Sequence, residues 1–426
     1  MALNPLTDQT LDTANERYFD LQLQHQVGLR RLSAGVARQT TKTISEADAA
    51  LVVLLRARLA RLSGGLPSFA GMRDKIETER YDRLRESIVA LRTSAWDKIK
   101  RVGMSEMSEL AAHESAFELR LLGEVTPMRI DFKTASAAEI RAAAVTRPFG
   151  GGFGASRTLA EWFASVSETD QRELISSIRQ GIVQGKTIQQ MVQEVAGTRV
   201  AGFTDGILAA SRRNAETIVR TGINHVSNVA RESIWDANSE VISALQWTST
   251  LDGRTSAICR ARDGRMSATK GNKLPTGAKK LLPAGARPPA HPNCRSVMIA
   301  IISGQGLSDI AGVRPFVRDT RTRAFQEKDF RVEAREADPQ RWADSTRAQR
   351  NALVKIQRGE WVSKNVGTVP SSIDYDTWLR RQPRSFQDEV LGKAKAKKFR
   401  EGLTLDKFVD RNGQELTLRQ FKLLGL

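Results

Sequence analysis

Between about residue 9 and residue 122, apolar residues recur every three to four positions along the chain. This spacing is typical of helices that bury one face. Two stripes carry it: Leu51, Leu55, Leu59 and Leu62, and then Tyr81, Leu84, Ile88, Leu91 and Ala95. Gly64 and Gly65 follow the first stripe and favour the end of a helix there. The sequence therefore predicts an extended helical arm over residues 1–125, and we favour an intramolecular hairpin over an oligomeric coiled coil.

Residues 158–240 show the same helical pattern, and the last helix of this region has one apolar face. That face consists of Ala215, Ile218, Val219, Ile223, Val226, Ala230 and Ile234. The remaining, mostly exposed surface is expected to carry Arg212, Arg213, Arg220, Asn224, Asn228 and Arg231. A glycine-rich segment, RPFGGGFGASRT at residues 147–158, precedes the region. Because no Walker lysine follows its glycines, we interpret this segment as a hinge and not as a phosphate-binding loop.

Beyond residue 240 the pattern changes from helical to strand-like. The segments ALQWTSTLD (244–252) and SVMIAIIS (296–303) suit strands, and the long connection between them is rich in Gly, Pro and Lys. A loop of this length within a compact unit is usually functional or held by side-chain contacts. We therefore predict a core domain over residues 126–310, in which helices carry a short sheet and a long ordered loop.

Residues 311–426 are predicted to form a basic linker and a small C-terminal unit of helices and irregular chain. TRAQRNALVKIQRGEW (346–361) suits a basic surface helix. Apolar residues then indicate a short helix with Trp378, Phe386, Val390 and Leu391, followed by a second packed turn with Phe399, Leu403 and Phe408. DRNGQ (410–414) predicts a tight turn before a closing segment. The predicted fold class is mainly α with a small α+β module.

The charge balance of the chain favours polyanionic partners. The 426 residues contain 66 Lys and Arg against 48 Asp and Glu, a net charge of +18. Such an excess attracts nucleic acid or an acidic protein surface. The longest apolar run, VMIAII at 297–302, is too short to cross a bilayer, and MALNPLTDQT does not resemble a secretion signal, so we expect no membrane partner. Only two cysteines are present, which fits a reducing compartment such as the bacterial cytoplasm.

The two cysteines and one of four histidines fall in the segment between the strands. A divalent metal such as zinc could gather Cys259, His291 and Cys294, with Asp252, Asp263 or water in a fourth position. The alternative, which we favour slightly, is that the cysteines are small buried thiols and that His291 caps a turn through its ring nitrogens. A disulfide is a third interpretation, for a protein that meets an oxidising medium. No oxyanion feature accompanies these residues, so the sequence does not predict catalysis.

Two Asp-Gly pairs, Asp252-Gly253 and Asp263-Gly264, indicate turns on either side of Cys259. We expect Asp252, Arg254 and Arg295 to form buried ion pairs or hydrogen bonds, because a bidentate contact of arginine with a carboxylate fixes irregular backbone well.

DGRTSAICRARDG, followed by PPAHPNCRS, resembles the signature of the phage head morphogenesis family, the minor head proteins similar to the F protein of phage Mu. The residues that match are Arg220, Thr221, Asn224 and Asn228, and then Asp252, Arg254, Thr255, Cys259, Asp263, Gly264, His291, Pro292, Asn293, Cys294 and Arg295. Two positions depart from the family pattern. Gly222 stands where an acidic residue is frequent, and Ser296 replaces a frequent third cysteine, which removes a fourth soft ligand from any metal site.

The resemblance implies a non-enzymatic minor head protein of a tailed phage, located at the portal vertex of the virion and in the host cytoplasm during assembly. Its implied partners are the portal protein, the major capsid or scaffolding protein, and double-stranded DNA bound without base recognition. Helical arms would engage the portal or capsid subunits, and the protein would aid DNA packaging or ejection. Two alternatives remain: a metal-dependent enzyme acting on DNA or a host protein, and a DNA-binding packaging accessory. No cofactor other than possible zinc is expected, and the sequence does not single out the DNA-binding residues.

Overall fold

The computed structural model describes residues 8–62, 75–126, 130–149, 157–275, 278, 281–302, 312–321 and 323–425. These residues are mainly helical and form two small three-stranded sheets, which confirms the predicted fold class. Two features of the sequence lie outside the described residues: the Gly64–Gly65 pair and the glycines at 150–154.

The first two helices, α1 (Asp8–Leu62) and α2 (Lys75–Val125), form a long antiparallel hairpin. The pairing of side chains shows the antiparallel order, because Tyr18 meets Glu118 while Asp48 meets Arg92 farther along. At 1.5 Å per residue, the 55 residues of α1 span roughly 80 Å. The predicted intramolecular hairpin is therefore present.

Four further helices pack against this hairpin: α3 (Ala137–Thr146), α4 (Leu159–Val183), α5 (Ile188–Ala196) and α6 (Ile207–Ala237). Capping boxes formed by Ser136, Thr158 and Thr187 start α3, α4 and α5. Helices α4 and α5 cover the part of the hairpin that carries the leucine stripe, and together they form one hydrophobic cluster. The hairpin is thus packed along its length and is not a free arm.

Helix α6 lies against both helices of the hairpin and buries the whole predicted apolar face. Two residues expected at its surface are buried instead, which corrects the sequence-based prediction. Asn228 contacts a strand described below, and Arg231 is fully buried, where its guanidinium donates to Ser227 O (3.1 Å) and Gln22 Oε1 (3.0 Å). Arg231 is buried because α1 supplies polar partners, which the α6 sequence alone does not reveal.

The larger hydrophobic cluster includes residues of the hairpin, of α6 and of the first sheet. Residues on both sides of position 125 therefore share one core. The boundaries 1–125, 126–310 and 311–426 remain predictions, but the first of them does not separate two cores.

The described strands form two sheets, and the first strand of the second sheet lies in the chain between two strands of the first. The first sheet has the order β3-β1-β4 and is antiparallel, with β1 (Ile242–Thr248), β3 (Met266–Ala268) and β4 (Val297–Ile302). The second has the order β2-β5-β6, with β2 (Leu251–Asp252), β5 (Val313–Val317) and β6 (Val366–Pro370). A short helix, α7 (Ala257–Arg262), follows β2. The sequence predicts β1, β2 and β4, but β3, β5 and β6 are too short or too polar to be recognised in it.

The C-terminal region forms two helical groups around separate small clusters. The first group comprises α8 (Arg323–Ala337), α9 (Pro339–Asp344) and α10 (Arg347–Asn365). The second comprises α11 (Tyr375–Arg380), α12 (Arg384–Leu391), α13 (Lys393–Arg400), a 3-10 turn (Leu405–Phe408) and α14 (Leu418–Leu423). Helix α10 is the predicted basic surface helix. The single helix predicted from Trp378 to Leu391 is two helices, because Pro383 starts a new one.

Candidate functional site

The first sheet and α7 bring the two cysteines and His291 together. Cys259 lies on α7, whose first turn is capped by Ser256, while His291 and Cys294 lie in the corner before β4. The Cys259 Sγ atom is 3.7 Å from Cys294 Sγ and 3.3 Å from His291 Nε2. Both thiols are buried and His291 is half-buried. Residues more than 30 positions apart therefore form one compact group, as the sequence motif suggested.

The His291 ring is oriented by contacts at both nitrogens. Its Nδ1 lies 2.8 Å from the backbone oxygen of Pro292, a position in which an N–H donates to a carbonyl. This bond leaves Nε2 facing the sulfur atoms, with Ser256 Oγ at 2.8 Å. The expected capping of a turn by His291 is thus present at Nδ1, while Nε2 belongs to the cysteine cluster.

The two sulfurs differ in acidity although both are buried. Burial raises the pKa of the Cys259 thiol, and the neighbouring Cys294 raises it further, well above the ordinary value. Burial acts in the same direction on Cys294, but hydrogen bonds with Cys259 and His291 outweigh it and hold the pKa of Cys294 well below the ordinary value. Burial opposes protonation of His291, yet its contact with Cys294 raises the pKa of the imidazole. The arrangement therefore favours a thiolate at Cys294.

Helix α6 fixes the corner through polar side chains spaced along one face. Thr221 Oγ accepts from the backbone N–H of Asn293 at 2.8 Å, and Asn224 Nδ2 donates to the carbonyl of Cys294 at 2.6 Å. One turn farther, Asn228 Oδ1 accepts from the N–H of Met298 at 3.2 Å. These contacts give a physical reason for the spaced threonine and asparagines in the motif: they bind the backbone that carries His291 and Cys294.

Three further residues, one in the corner and two on α6, have separate roles. Asn293 has φ +59°, a left-handed conformation that asparagine tolerates, and its side chain donates to Thr217 Oγ at 3.1 Å. Arg220, the other member of the Arg-Thr pair, contacts Glu216 on the helix surface and not the corner. A Cβ atom at Gly222 would lie 2.7 Å from the side chain of Met107, which is fully buried, so glycine permits close packing of α6 on α2.

Asn15 makes a contact with the first sheet that sequence reasoning missed. It lies on α1, and its side-chain amide donates to the carbonyl of Ile302 at 3.3 Å and accepts from the same residue's N–H at 2.9 Å. The amide thereby pairs with the end of β4 as a neighbouring strand would. Because Asn15 and Ile302 are 287 positions apart, no local sequence pattern predicts this contact.

Asp252 anchors the irregular chain between β2 and α7. Arg295 contacts both of its carboxylate oxygens, with one bond of 2.8 Å, and Thr255 Oγ donates to it at 3.0 Å. Burial raises the pKa of the Asp252 carboxyl, but the hydrogen bonds and charge of Arg295 outweigh burial, and the net shift is downward. The expected pairing of Arg295 is present. The expectation for Arg254 holds only in part: its backbone N–H donates to Asp252 at 3.1 Å and its guanidinium pairs with Asp252 at 3.8 Å, but the side chain is 41% exposed, so this ion pair is not buried.

The second predicted turn residue, Asp263, connects the core to the C-terminal region. Arg314 of β5 contacts both of its carboxylate oxygens, at 2.7 and 2.9 Å, and the backbone N–H groups of Ser249 and Tyr375 donate to it at 2.6 and 2.7 Å. Burial raises the pKa of this carboxyl, although Arg314 opposes the shift. Gly264 follows with φ +73°, which a turn of this shape requires. Arg314 is not part of any recognised motif, so the sequence did not predict its contact with Asp263.

The remaining histidines lie on helices, as expected. His25 Nε2 contacts Glu114 at 2.7 Å inside the hairpin, and His225 Nε2 donates to the Arg147 carbonyl at 3.0 Å. Among the residues that the structure describes, the group Cys259, His291 and Cys294 is the only cluster of three or more histidine, cysteine or acidic side chains close enough to share a metal ion. Pro292, the last motif residue, contributes its carbonyl to His291.

Part of the chain is similar to a known protein family. Residues 173–299 match a family model described as Phage Mu protein F like protein. The matched segment begins within α4 and ends in β4, so it contains α5, α6, α7 and the corner with Cys294. The match confirms the resemblance to the phage head morphogenesis family. No curated protein and no solved structure matches the chain. In the part of the chain that the structure describes, no helix has both the length and the apolar character that crossing a bilayer requires.

Proposed function

We propose that this protein is a phage head protein, a minor component of the capsid that joins the portal vertex during procapsid assembly and aids the packaging or ejection of DNA. The observation that carries the proposal is the family match over residues 173–299, which covers the corner and the α6 face that binds it. The polar residues of the motif mainly hold backbone in place, at Asn293, Cys294 and Met298, which suits a structural module. We therefore propose a role in assembly without a catalysed reaction.

The distribution of charge supports contact with DNA. Residues 311–426 contain 25 Lys and Arg against 16 Asp and Glu, a net charge of +9, half of the total in about a quarter of the chain. Helix α10 alone carries five basic residues and one acidic residue, and Arg347, Lys355 and Lys364 are exposed on it. Exposed cations displace counterions from the phosphate backbone without recognising bases. We propose α10 as part of the DNA-contacting surface.

Portal association is tested by co-expression of the full chain with the portal protein of the same phage. We expect the two proteins to co-purify at moderate salt and the chain to enter procapsids only when portal protein is present. Equal incorporation into procapsids that lack portal protein would contradict the proposed docking. The measurement is quantitative mass spectrometry of purified procapsids.

DNA contact is tested by titrating duplex DNA of mixed sequence at several salt concentrations. We expect affinity to fall with salt and to differ little between sequences. Charge reversal of Lys355 should lower the slope of log affinity against log salt by about one for each phosphate that the side chain no longer neutralises. Lys133→Glu is the matched control, because the Lys133 ammonium already pairs with Glu240 at 2.7 Å, and it should leave the slope nearly unchanged. Absence of binding at low salt would contradict the DNA proposal without affecting portal association.

A further inference from the structure

We propose that Cys259, His291 and Cys294 bind one zinc ion, with the Ser256 hydroxyl or water in the fourth position, and that the ion has a structural role. This site is independent of portal and DNA contact, since neither proposal requires a metal. The ion would join α7 to the corner before β4 and thereby close a loop of 35 residues.

The spacing of the donor atoms fits tetrahedral zinc. Zinc bonds of about 2.3 Å to sulfur and about 2.0 Å to nitrogen, at tetrahedral angles, place two sulfurs roughly 3.8 Å apart and sulfur and nitrogen roughly 3.5 Å apart. The structure has 3.7 Å between Cys259 Sγ and Cys294 Sγ, and 3.3 Å between Cys259 Sγ and His291 Nε2. All three donor atoms lie within 4.8 Å of one another. An ion would thus require only small movements of the side chains.

The surroundings orient His291 in the way that proteins orient a histidine that binds zinc. A histidine that binds zinc through one ring nitrogen usually donates its other N–H to a carbonyl or carboxylate, which fixes the tautomer and the ring plane. His291 Nδ1 lies 2.8 Å from the Pro292 carbonyl, which directs Nε2 to the sulfurs. The backbone on either side of Cys294 is fixed independently by Thr221 and Asn224. The donor set is therefore preorganised, which lowers the entropy cost of binding.

The enclosure of the cluster favours a structural ion over a catalytic one. The Cys259 residue is 1% exposed and Cys294 is 4% exposed, while His291 is half-buried and gives the only partly open side among the three. Ser256 Oγ lies 2.8 Å from His291 Nε2, so a fourth oxygen donor stands beside the three proposed ligands. Catalytic zinc keeps an open position for water or substrate, whereas structural zinc is closed. Two thiolates would also balance the double positive charge of the ion inside the protein.

The decisive measurement is the metal content of the full chain, purified with reductant and then reconstituted with zinc and freed of excess ion. We expect about one equivalent of zinc per chain for a single site. Cobalt reconstitution should give the thiolate charge-transfer absorption and the intense visible bands of a tetrahedral site. Both thiols should resist a thiol reagent until a strong chelator is added. These three measurements use the unaltered chain, so they do not depend on the folding of a variant.

Variants then assign the ligands. Cys259→Ser, Cys294→Ser and His291→Ala should each lose most of the bound zinc and the cobalt absorption. Asn293→Gly is the matched control: it removes a neighbouring side chain, keeps all three donors and accommodates φ +59°, so it should retain zinc. Circular dichroism shows whether each variant is folded.

Three results would overturn the proposal. One is zinc content below about a tenth of an equivalent after reconstitution, because a preformed site binds its metal nearly completely under these conditions. Another is full zinc content in folded Cys259→Ser and Cys294→Ser proteins. The third is a Cys259–Cys294 disulfide in the purified chain combined with no zinc uptake after reduction, which would favour the interpretation as paired thiols.

Discussion

Two regions of the molecule are stabilised in opposite ways. One is the corner before β4 together with the chain around Asp252 and Asp263, and the other is the α8–α10 hairpin, in which α8 packs against α10. This first region has little regular structure, and its buried carboxylates and amides bind arginine side chains and backbone groups that are far away in the sequence. The α8–α10 hairpin is regular, its cluster has only three buried residues, and polar contacts such as the Glu327–Arg358 pair lie between exposed side chains. Removal of one polar contact should therefore matter greatly in the corner and very little in the hairpin.

The largest effect is expected for Asp263→Ala. The change leaves the Arg314 guanidinium buried without its anion and removes the acceptor for the Ser249 and Tyr375 N–H groups. Breaking a buried pair in this way costs about 3–5 kcal/mol of the free energy of unfolding. Urea denaturation at neutral pH measures the loss. A decrease below about 1 kcal/mol would place Asp263 in the same class as a surface carboxylate.

Arg295→Ala and Arg254→Ala compare a close and a long arginine contact with the same carboxylate, Asp252. Arg295 binds both oxygens of Asp252, and hydrogen bonds to a charged group are worth about 1.5–3 kcal/mol, so we expect a loss in that range. The Arg254 guanidinium is exposed and makes only a long contact of 3.8 Å with Asp252, so its replacement should change the free energy of unfolding by less than about 0.5 kcal/mol. The losses are measured by thermal and urea denaturation. Equal losses for the two variants would show that the contact of Arg295 with Asp252 contributes no more to the free energy of unfolding than the exposed Arg254 does.

His225 makes the packed core sensitive to pH. Burial, opposed by the hydrogen bond to the Arg147 carbonyl, lowers the pKa of His225 from 6.5 to about 4, while Arg147 and Glu232 act on it with opposite signs. The unfolded chain therefore binds this proton first, so the stability it contributes is present above pH 6.5 and is lost as the pH falls toward 4. Between pH 7.5 and pH 5 the loss is about 2 kcal/mol.

The pH experiment compares the free energy of unfolding of the wild type with that of His225→Gln at both pH values. We expect the variant to lose most of this pH dependence. The matched control is His113→Gln, because the His113 side chain is 60% exposed. A wild-type dependence that persists in His225→Gln would show that other groups cause it.

The smallest effect is expected in the α8–α10 hairpin. Glu327 and Arg358 are 3.4 Å apart, and their side chains are 40% and 49% exposed. Exposed pairs of this kind contribute about 0–1 kcal/mol, so Glu327→Gln should lower the melting temperature by at most a few degrees. A loss equal to that of Asp263→Ala would abolish the proposed difference between the two regions.

The same contrast explains what the sequence could and could not predict. The helices α1 and α2 could be predicted from hydrophobic periodicity, and the strands β1 and β4 from continuous apolar runs. Both signals are local, because they depend only on neighbouring residues along the chain. The Cys259–His291–Cys294 group was found because its residue types are rare and stand beside turn signals. The partners Arg314 and Asn15 were not found, since they lie 51 and 287 positions from the groups they bind. The burial of Arg231 was missed for the same reason.

A strand at the border of a sheet invites pairing with a strand of another molecule, and this is a common origin of aggregation. In β4 the amides of Asn15, Asn224 and Asn228 take hydrogen-bonding positions along that border, at Ile302, Ser296 and Met298. Strand addition from a neighbouring copy would first have to displace α1 and α6. When many chains are concentrated in one place, this cover opposes their association through β4.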